Sequence, residues 1–530
     1  MRTWVGIVFC TRKPVAIQGF FQYGRRRLAK GIDLRSRTLD SRVQIRLQNF
    51  RLFRDTGWIT LDPLTCVVGR NSSGKSSFVF ALLLLKQSIE KRIFGSVLSP
   101  LSLSGDYCDL GQFRDLAHDH DATCAVTYSF RIPVSMIDNY LGKKPGPLVE
   151  LAPSEPIFSG WMEYEARDLD KIRDRVIEIS LAFSEDEPFG PSLSSCEIGV
   201  GGLGKVKFLR TISGERKPHW RTYTRGNPGM KGVALEQRSP RFFPQLVFRG
   251  RSRRHLGYRL ERRASQLFRA GHFCFEFLED LLRGSEMIGP FRQPPERRYT
   301  FGGFGTSKTG PSGEQAIDLL IMELLIKRGA AKPLINAVGY WLKAMKLASS
   351  LKVGDAAKRV NLFEVDLRLT GGRQLNNLVD VGFGISQVLP VLVQGLLMRR
   401  GGIYIVQEPE IHLHPDAQAG LADFFIYLTC QGVNCIVETH SEYLLLRLRR
   451  RLAEGKGPLR SALPRFIGPT KRLTDKDVSV LVSENRGSEA ILTKLVIGKG
   501  FQFEKMPLGF MSQATEDRME LLKAVSKQNG

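Results

Sequence analysis

The feature that most restricts the possible folds of this chain is the loop at residues 69–77, which reads GRNSSGKSS. It fits the pattern G-x-x-x-x-G-K-[ST] at every fixed position. The apolar stretch 61–68 before it is typical of a buried strand, and the apolar stretch 78–86 after it is typical of a helix. Such a turn directs backbone N–H groups and a helix N-terminus at one point, which favours phosphate binding. The chain is therefore predicted to fold around a phosphate-binding loop.

Specific roles follow for the residues of this loop. Lys75 is predicted to reach the β- and γ-phosphates of a nucleotide, and the hydroxyl of Ser76 to bind Mg²⁺. The predicted nucleotide-binding residues of the loop are Gly69, Asn71, Ser72, Ser73, Gly74, Lys75, Ser76 and Ser77.

Composition places the chain among ordinary globular proteins. Its 530 residues are 42% hydrophobic, which is enough to bury a substantial core. No apolar run approaches the roughly 20 residues that cross a bilayer, so a membrane-spanning subunit is not expected. The eight cysteines are scattered without a C-x-x-C pair, and this favours reduced thiols in a cytoplasmic protein.

The positive charge is concentrated in two segments. Residues 1–42 have a net charge of +8 and residues 205–269 one of +15, which together account for 23 of the 25 net positive charges. The first segment lacks clear periodicity and is interpreted as a disordered extension or an over-extended start. A transit peptide is the alternative, but the segment is not rich in serine.

The second basic segment allows two interpretations. Its arginines are densest between residues 249 and 263, and aromatic residues occur among them. Arginines interleaved with aromatics are suited to phosphate contacts and base stacking, which favours DNA binding. Alternatively, the segment is a solvated face over a small aromatic core. No recognised nucleic-acid-binding motif decides between the two.

Two later strands end in polar residues that suit phosphate chemistry. The apolar run 403–406 leads into Gln407 and Glu408, and the run 433–438 leads into Thr439 and His440. In P-loop ATPases a carboxylate at such a position orients Mg²⁺ or the attacking water, and Glu408 is predicted to polarise water. Gln112 is a further candidate for reaching Mg²⁺ and the water. The alternating stretch 43–47 is predicted to be a strand that pairs near the P-loop strand.

The order of these motifs resembles that of a known family. A P-loop, a glycine-rich signature, a strand ending in Glu-Pro and a strand ending in Thr-His-Ser resemble the ABC-type ATPase heads of the SMC, RecF and overcoming-lysogenization-defect (OLD) group, over residues 43–460. The likeness is greatest to stand-alone bacterial ATPases. It implies an α/β P-loop NTPase fold of ABC-ATPase head type, with an antiparallel β lobe, a helical lobe and a small C-terminal appendage. It also implies ATP hydrolysis with Mg²⁺ in a homodimer.

The resemblance also selects the signature. In such heads the signature begins a helix and precedes the catalytic strand by roughly twenty residues, which residues 382–387 do and residues 312–315 do not. It implies that Gly384 and Ser386 contact the γ-phosphate of the nucleotide bound to a second subunit, that Gly382 belongs to the same nucleotide-binding set, and that His440 senses the γ-phosphate. Two departures are Gly382 in place of the usual serine and Gln407 in place of the aspartate associated with Mg²⁺. Slow hydrolysis is therefore expected.

The sequence is compatible with two functions. The first is a DNA-associated ATPase in repair or antiphage defence, and the second is an ATP switch that controls a protein effector without DNA.

The sequence predicts six segments along the chain. They are the extension 1–42, the N-terminal ATPase lobe 43–204, the basic insertion 205–285, a connector and helical lobe 286–360, the C-terminal ATPase lobe 361–465 and a small C-terminal domain 466–530.

Overall fold

The fold is described from a computed structural model of the chain. The described residues are 42–91, 101–141, 172, 174–186, 190–212, 218–225, 233–236, 242–248, 262–302, 307–326, 332–355, 361–455, 473–498, 503–504, 517 and 520–521. Within these ranges no helix combines the length and the apolar character that a bilayer-spanning segment needs.

The described chain alternates between strands and helices. In chain order the strands are β1 (Gln44–Phe50), β2 (Phe53–Asp55), β3 (Ile59–Thr60), β4 (Leu64–Gly69), β5 (Val126–Pro133), β6 (Val176–Asp186), β7 (Gly190–Val200), β8 (Gly204–Ile212), β9 (Pro218–Arg225), β10 (Val233–Glu236), β11 (Gln245–Phe248), β12 (Glu286–Ile288), β13 (Tyr299–Thr300), β14 (Ala348–Asp355), β15 (Leu362–Leu369), β16 (Asn376–Asn377), β17 (Ile403–Gln407), β18 (Asn434–Glu438), β19 (Val478–Arg486), β20 (Glu489–Ile497) and β21 (Phe503–Glu504). The helices are α1 (Lys75–Lys91), α2 (Phe113–Leu116), α3 (Val134–Leu141), α4 (Arg262–Arg283), α5 (Ala316–Ile326), α6 (Pro333–Ala344), α7 (Phe383–Leu397), α8 (Pro415–Gln431) and α9 (Glu442–Glu454).

A seven-stranded sheet positions the P-loop. Its order is β12-β17-β18-β4-β19-β20-β21, and the first five strands are parallel. Strands β4, β17 and β18 are buried along their whole length, as expected for parallel strands covered on both faces. Their carboxyl ends lie at one edge, so the P-loop, Glu408 and Thr439 all begin at that edge.

The parallel sheet separates two hydrophobic cores. In β4 the side chain of Val67 belongs to one core, whereas those of Cys66 and Val68 belong to the other. The first core contains α1, α4 and the inner face of an antiparallel sheet, and the second contains α5 to α9. The predicted α/β P-loop fold with an antiparallel lobe and a helical lobe is therefore confirmed.

The first strand of the fold does not lie where the sequence suggested. Strand β1 was expected near the P-loop strand, but it pairs with β2, β3 and β5 in an eight-stranded antiparallel sheet of order β2-β1-β5-β6-β7-β8-β9. The physical reason lies in its pattern: Ile45 and Leu47 are buried, while the polar residues between them face outward. A strand with one solvent-exposed face is typical of an antiparallel sheet. It does not suit a position beside the P-loop strand, which is buried on both faces.

The C-terminal strands are continuous with the ATPase sheet. Strand β19 runs parallel to the P-loop strand, with Ser483 opposite Gly69, and β20 returns antiparallel to it. Residues 478–483 are all buried, which is the pattern of a central strand. The segment 466–530, expected as a small appended domain, therefore contributes a structural strand beside the P-loop.

Candidate nucleotide site

The P-loop requires glycine at two positions. Gly69 has a φ of +146° and Gly74 one of +101°, both in the region that side chains rarely adopt. A Cβ on Gly69 would lie 2.3 Å from the backbone oxygen of Ser483. The loop is exposed from Arg70 to Ser72 and becomes buried at Ser73.

Lys75 and Ser76 contact different partners at the start of α1. The Lys75 ammonium donates to the carbonyl oxygen of Arg70 at 2.7 Å, within the loop. Burial lowers the pKa of Lys75, and the carboxylates of Glu438 and Glu408 act in the opposite direction. The Ser76 hydroxyl donates to Glu438 Oε1 at 2.6 Å. The hydrogen-bond partner of Ser76 is thus the carboxylate of Glu438 on β18, a residue that the sequence did not single out; the sequence had placed the uncharged Gln407 on β17 beside Mg²⁺.

Glu408 has an unusual backbone conformation at the end of β17. Its φ is +45°, a left-handed value that costs a non-glycine residue about 1–3 kcal/mol. The backbone contributes one restraint, because the Glu408 N–H donates to the carbonyl of Glu438 at 2.7 Å. The Glu408 side chain is about one-third exposed, so its carboxylate is accessible to solvent at the sheet edge.

A second restraint on Glu408 is the guanidinium of Arg292. Nη2 of Arg292 donates to the carbonyl oxygens of Gln407 at 2.8 Å and Glu408 at 3.1 Å. Burial lowers the pKa of Arg292 to about 10, against the opposing effects of Tyr404, Glu410 and Glu408. Its buried Nε and Nη1 have no hydrogen-bond partner in the described part of the chain. A charge buried at this cost points to a role in holding the end of β17.

His440 lies beside Glu408. Its Nε2 is 4.0 Å from Glu408 Oε1. Burial lowers the pKa of His440, the charge of Lys75 lowers it further, and Glu438 acts in the opposite direction. The imidazole is therefore neutral near pH 7, and its two ring nitrogens can donate one hydrogen bond and accept another. Its backbone N–H donates to Glu410 Oε1 at 2.5 Å, and burial raises the pKa of that carboxyl group.

The predicted signature lies at the start of α7. Gly382 is the N-cap residue of this helix, and a Cβ on Gly384 would lie 2.4 Å from the backbone oxygen of His412. Ser386 is buried, and its hydroxyl donates to the carbonyl oxygen of Phe383 at 2.7 Å. Contact with a second subunit would require the Ser386 hydroxyl to leave that bond, whereas Gly382 has nothing within 4 Å of its Cβ position.

Gln112 stands at the start of α2 and is exposed. Its backbone N–H donates to Asp115 Oδ2 at 2.9 Å. None of its described contacts is with the P-loop, and its predicted role toward Mg²⁺ and water stays a prediction.

Strand β19 supplies contacts that the sequence did not reveal. The Ser483 hydroxyl donates to the carbonyl oxygen of Ser73, and Asn485 Nδ2 donates to that of Ser72 at 3.2 Å. Both acceptors are backbone atoms of the P-loop, so β19 fixes the direction of the loop from behind. The only available signal was the run of polar residues after the apolar stretch 478–482, which does not identify a partner.

The basic segment is described only in part. The sites Arg249, Arg251, Arg253, Arg254 and Arg259 lie outside the described residues. Among the aromatics, Phe242 and Phe243 are buried, with ring centroids 5.0 Å apart, and Phe243 stacks on Phe275 of α4. Tyr223 on β9 is half exposed. Most of the described aromatics therefore pack in a core and are not available for base stacking.

The donor set at the sheet edge fits magnesium. Ser76, Glu438 and Gln407 offer a hydroxyl, a carboxylate and an amide, and Mg²⁺ prefers such oxygen donors together with phosphate oxygens. Beside them lie an ammonium, an exposed carboxylate and a neutral imidazole. This combination can bind a nucleotide triphosphate and orient a water molecule toward it.

Comparison with known proteins also indicates an ATPase. Residues 43–185 match the family described as "AAA ATPase domain", and residues 248–447 match the one described as "AAA domain, putative AbiEii toxin, Type IV TA system". The curated proteins contain no match.

Similar solved structures include three SMC heads. One is an SMC head bound to the C-winged helix domain of ScpA, with 11% identity, a TM-score of 0.38, and coverage of 86% of this chain and 98% of that one. The SMC head domain from Thermotoga maritima has 8% identity, a TM-score of 0.32, and coverage of 86% and 99%. The Pyrococcus furiosus head with an extended coiled coil, bound to the C-terminal domain of ScpA, has 10% identity, a TM-score of 0.38, and coverage of 91% and 98%.

Proposed function

Because residues 43–185 and 248–447 match AAA-type ATPase families, we propose that this chain is an ABC-type P-loop ATPase and acts as an ATP-gated homodimer. In this proposal ATP and Mg²⁺ bind at the P-loop of one subunit, and the signature at the start of α7 in the second subunit closes over the γ-phosphate. Hydrolysis then releases the two subunits. The conformational output is a cycle of association and separation.

The proposed roles of individual residues are as follows. Lys75, Ser76 and the loop backbone hold the phosphates, and Mg²⁺ neutralises their charge. Glu408 polarises the attacking water as a general base. His440 senses the γ-phosphate beside it. The supporting observation is the 4.0 Å approach of Glu408 and His440 at the edge where Ser76 contacts Glu438.

Exposed apolar groups support the dimer. Around the start of α7, Leu375, Val379 and Phe383 are exposed by 39–49%, and Phe291, next to Arg292, is 89% exposed. Apolar side chains exposed around an active edge are typical of a surface that is covered in another state. We propose that ATP-bound partners cover these groups. Gly382 and Gly384 would offer backbone contacts, and Ser386 would do so only after its hydroxyl leaves Phe383.

Two substitutions test the nucleotide cycle. Lys75→Ala is expected to abolish nucleotide binding, because the loop loses its only ammonium directed at the phosphates. Glu408→Gln is expected to preserve ATP binding and to trap a dimer, because the base is lost without loss of shape. Titration with a fluorescent ATP analogue measures nucleotide binding, and light scattering measures the mass of the dimer. If Glu408→Gln hydrolyses ATP at the wild-type rate, Glu408 is not the base.

We propose that the work of this dimer is DNA-associated, in repair or antiphage defence. The support is the net charge of +15 in residues 205–269. Lys207, Arg221 and their neighbours on β8 and β9 lie in the antiparallel sheet, at its β9 edge. With Phe242 and Phe243 buried, any DNA contact there would be mainly with phosphates and therefore strongly salt-dependent.

The burial of these aromatics also favours the second candidate, an ATP switch for a protein effector. DNA affinity measured between about 50 and 200 mM salt separates the two, because several phosphate contacts predict a loss of about 10³-fold or more. Replacing Lys207 and Arg221 with Gln should reduce that slope. If the rate of ATP hydrolysis and the extent of dimerisation at low salt are the same with and without DNA, the protein-effector function is favoured.

A further inference from the structure

The strand end that usually provides a carboxylate for Mg²⁺ has none in this chain. Strand β17 ends at Gln407, and the next residue, Glu408, points into the exposed part of the edge. An amide has no charge with which to attract Mg²⁺, and nucleotide sites generally hold this ion through one or two carboxylates plus phosphate oxygens. A second source of negative charge close to Ser76 is therefore needed.

Glu438 has the required position. It is the last residue of β18 and lies in register with Gln407 on the neighbouring strand. Its side chain is directed to the same edge: Oε1 accepts a hydrogen bond from the Ser76 hydroxyl at 2.6 Å, and Oε2 accepts one from Gln407 Nε2 at 2.7 Å. The carboxylate thus lies between Ser76 and Gln407, two of the three residues that the sequence assigned to the metal.

Among the described residues, no cation is in direct contact with the Glu438 carboxylate. The residue is only 1% exposed, and in the described part of the chain no Lys, Arg or His nitrogen lies within 4 Å of its oxygens. Its two described side-chain partners are a neutral hydroxyl and a neutral amide. The Lys75 ammonium interacts with this carboxylate only from beyond 4 Å. A buried carboxylate without a cation in contact is costly, and a divalent ion at Ser76 would supply a positive charge in contact.

We propose that Glu438 is the acidic residue of the Mg²⁺ site and that Gln407 is its positioning residue. The Gln407 amide donates to Glu438 and fixes which oxygen faces Ser76. The acidic group has in effect moved from the end of β17 to the end of β18. The inference rests on the proposed function in one respect only, namely that Mg²⁺ and nucleotide bind at the P-loop.

The experiment measures nucleotide affinity with and without Mg²⁺. A fluorescent ATP analogue is titrated into the full chain in excess EDTA and then in Mg²⁺, and the ratio of the two dissociation constants defines the magnesium effect. Glu438→Gln is expected to lower the magnesium effect by about tenfold or more and to leave the affinity in EDTA within about threefold. Gln407→Met is expected to lower it less, because the carboxylate remains but loses its orienting donor.

Matched variants separate this role from a structural one. Glu364→Gln removes a carboxylate from an exposed ion pair with Arg298 and should leave both affinities unchanged. The exchange variant with Gln407→Asp and Glu438→Gln returns a carboxylate to the end of β17 and should restore part of the magnesium effect. A merely structural role of Glu438 predicts equal losses in EDTA and in Mg²⁺.

The outcomes are distinguishable. If Glu438→Gln keeps the wild-type magnesium effect, the inference is wrong even though nucleotide binds. If the wild-type chain binds no nucleotide in either condition, the proposed function itself fails. Should Glu438→Gln not fold, Glu438→Ala removes the carboxylate without leaving an amide, and a wild-type magnesium effect in that variant would equally overturn the inference.

Discussion

Arg292 offers the sharpest test of how the end of β17 is held. The proposed perturbation is Arg292→Met, which keeps a long apolar stem but removes the donors to Gln407 and Glu408. Because Glu408 has a left-handed backbone, its conformation persists only while its surroundings enforce it. The substitution is expected to release Glu408 without disturbing the P-loop.

The expected loss of kcat in Arg292→Met follows from the contacts that the substitution removes. A hydrogen bond from a charged donor contributes about 1.5–3 kcal/mol, and the strained backbone opposes the native position by about 1–3 kcal/mol. Loss of one such restraint should misplace Glu408 in most molecules and reduce kcat by about 10- to 100-fold, since each 1.36 kcal/mol is tenfold in rate. The KM for ATP should change by less than about threefold, because Arg292 has no described contact with the P-loop.

Steady-state ATP hydrolysis at saturating Mg²⁺ measures both constants. Arg298→Met is the matched control, because Arg298 is exposed and pairs with Glu364 on β15, which belongs to a different sheet from β17. A double-mutant cycle is decisive: in a Glu408→Gln background, Arg292→Met should cause no further loss of rate. A full additional loss in that background, or an unchanged kcat in the single variant, would refute the positioning role.

Two further predictions concern His440 and β19. Burial and the charge of Lys75 lower the pKa of His440 in the folded protein. Below about pH 6.5 the unfolded chain therefore binds more protons at this residue than the folded protein does. As a result, the folded protein is destabilised through His440 as pH falls below that value, and it is not above it. The midpoint of thermal unfolding should therefore drop less between pH 7 and 5.5 in His440→Gln than in the wild type, and equal drops would contradict this assignment. Ser483→Ala removes a hydroxyl that donates to the backbone of Ser73, so nucleotide affinity should fall by about 3- to 10-fold, corresponding to about 1 kcal/mol. Thr493→Ala on β20 is the control, and an equal loss there would show a general effect on the sheet.

Some parts of the site were predictable because they depend on local sequence. The P-loop requires Gly69 and Gly74 at fixed spacing from Lys75, and the strand before it is a continuous apolar run. The runs that end at Gln407 and Glu438 were also recognisable as buried strands. Parallel strands bring their carboxyl ends to one edge, so the convergence of these segments on the P-loop followed from the sequence alone.

Other parts were decided by tertiary structure, because they depend on which strands are neighbours. Sequence order does not reveal that β18 lies between β17 and β4, and this placement is what puts Glu438 against Ser76. Nor does it reveal that β19, more than 400 residues after the P-loop in the chain, supports the loop through Ser483. The partner of a buried polar group is set by long-range packing and has no local periodicity.

The same distinction applies to the aromatic residues of the basic segment. Their spacing was compatible with stacking on bases or with a small core. Only the packing of Phe243 against Phe275 of α4, and of Phe242 against Phe183 of β6, places these two rings in a core. The sequence by itself determined that the chain is built around a phosphate loop in an α/β ATPase fold. The tertiary structure decided which carboxylate faces that loop, because hydrogen bonds between neighbouring strand ends select the partner after the sheet has assembled.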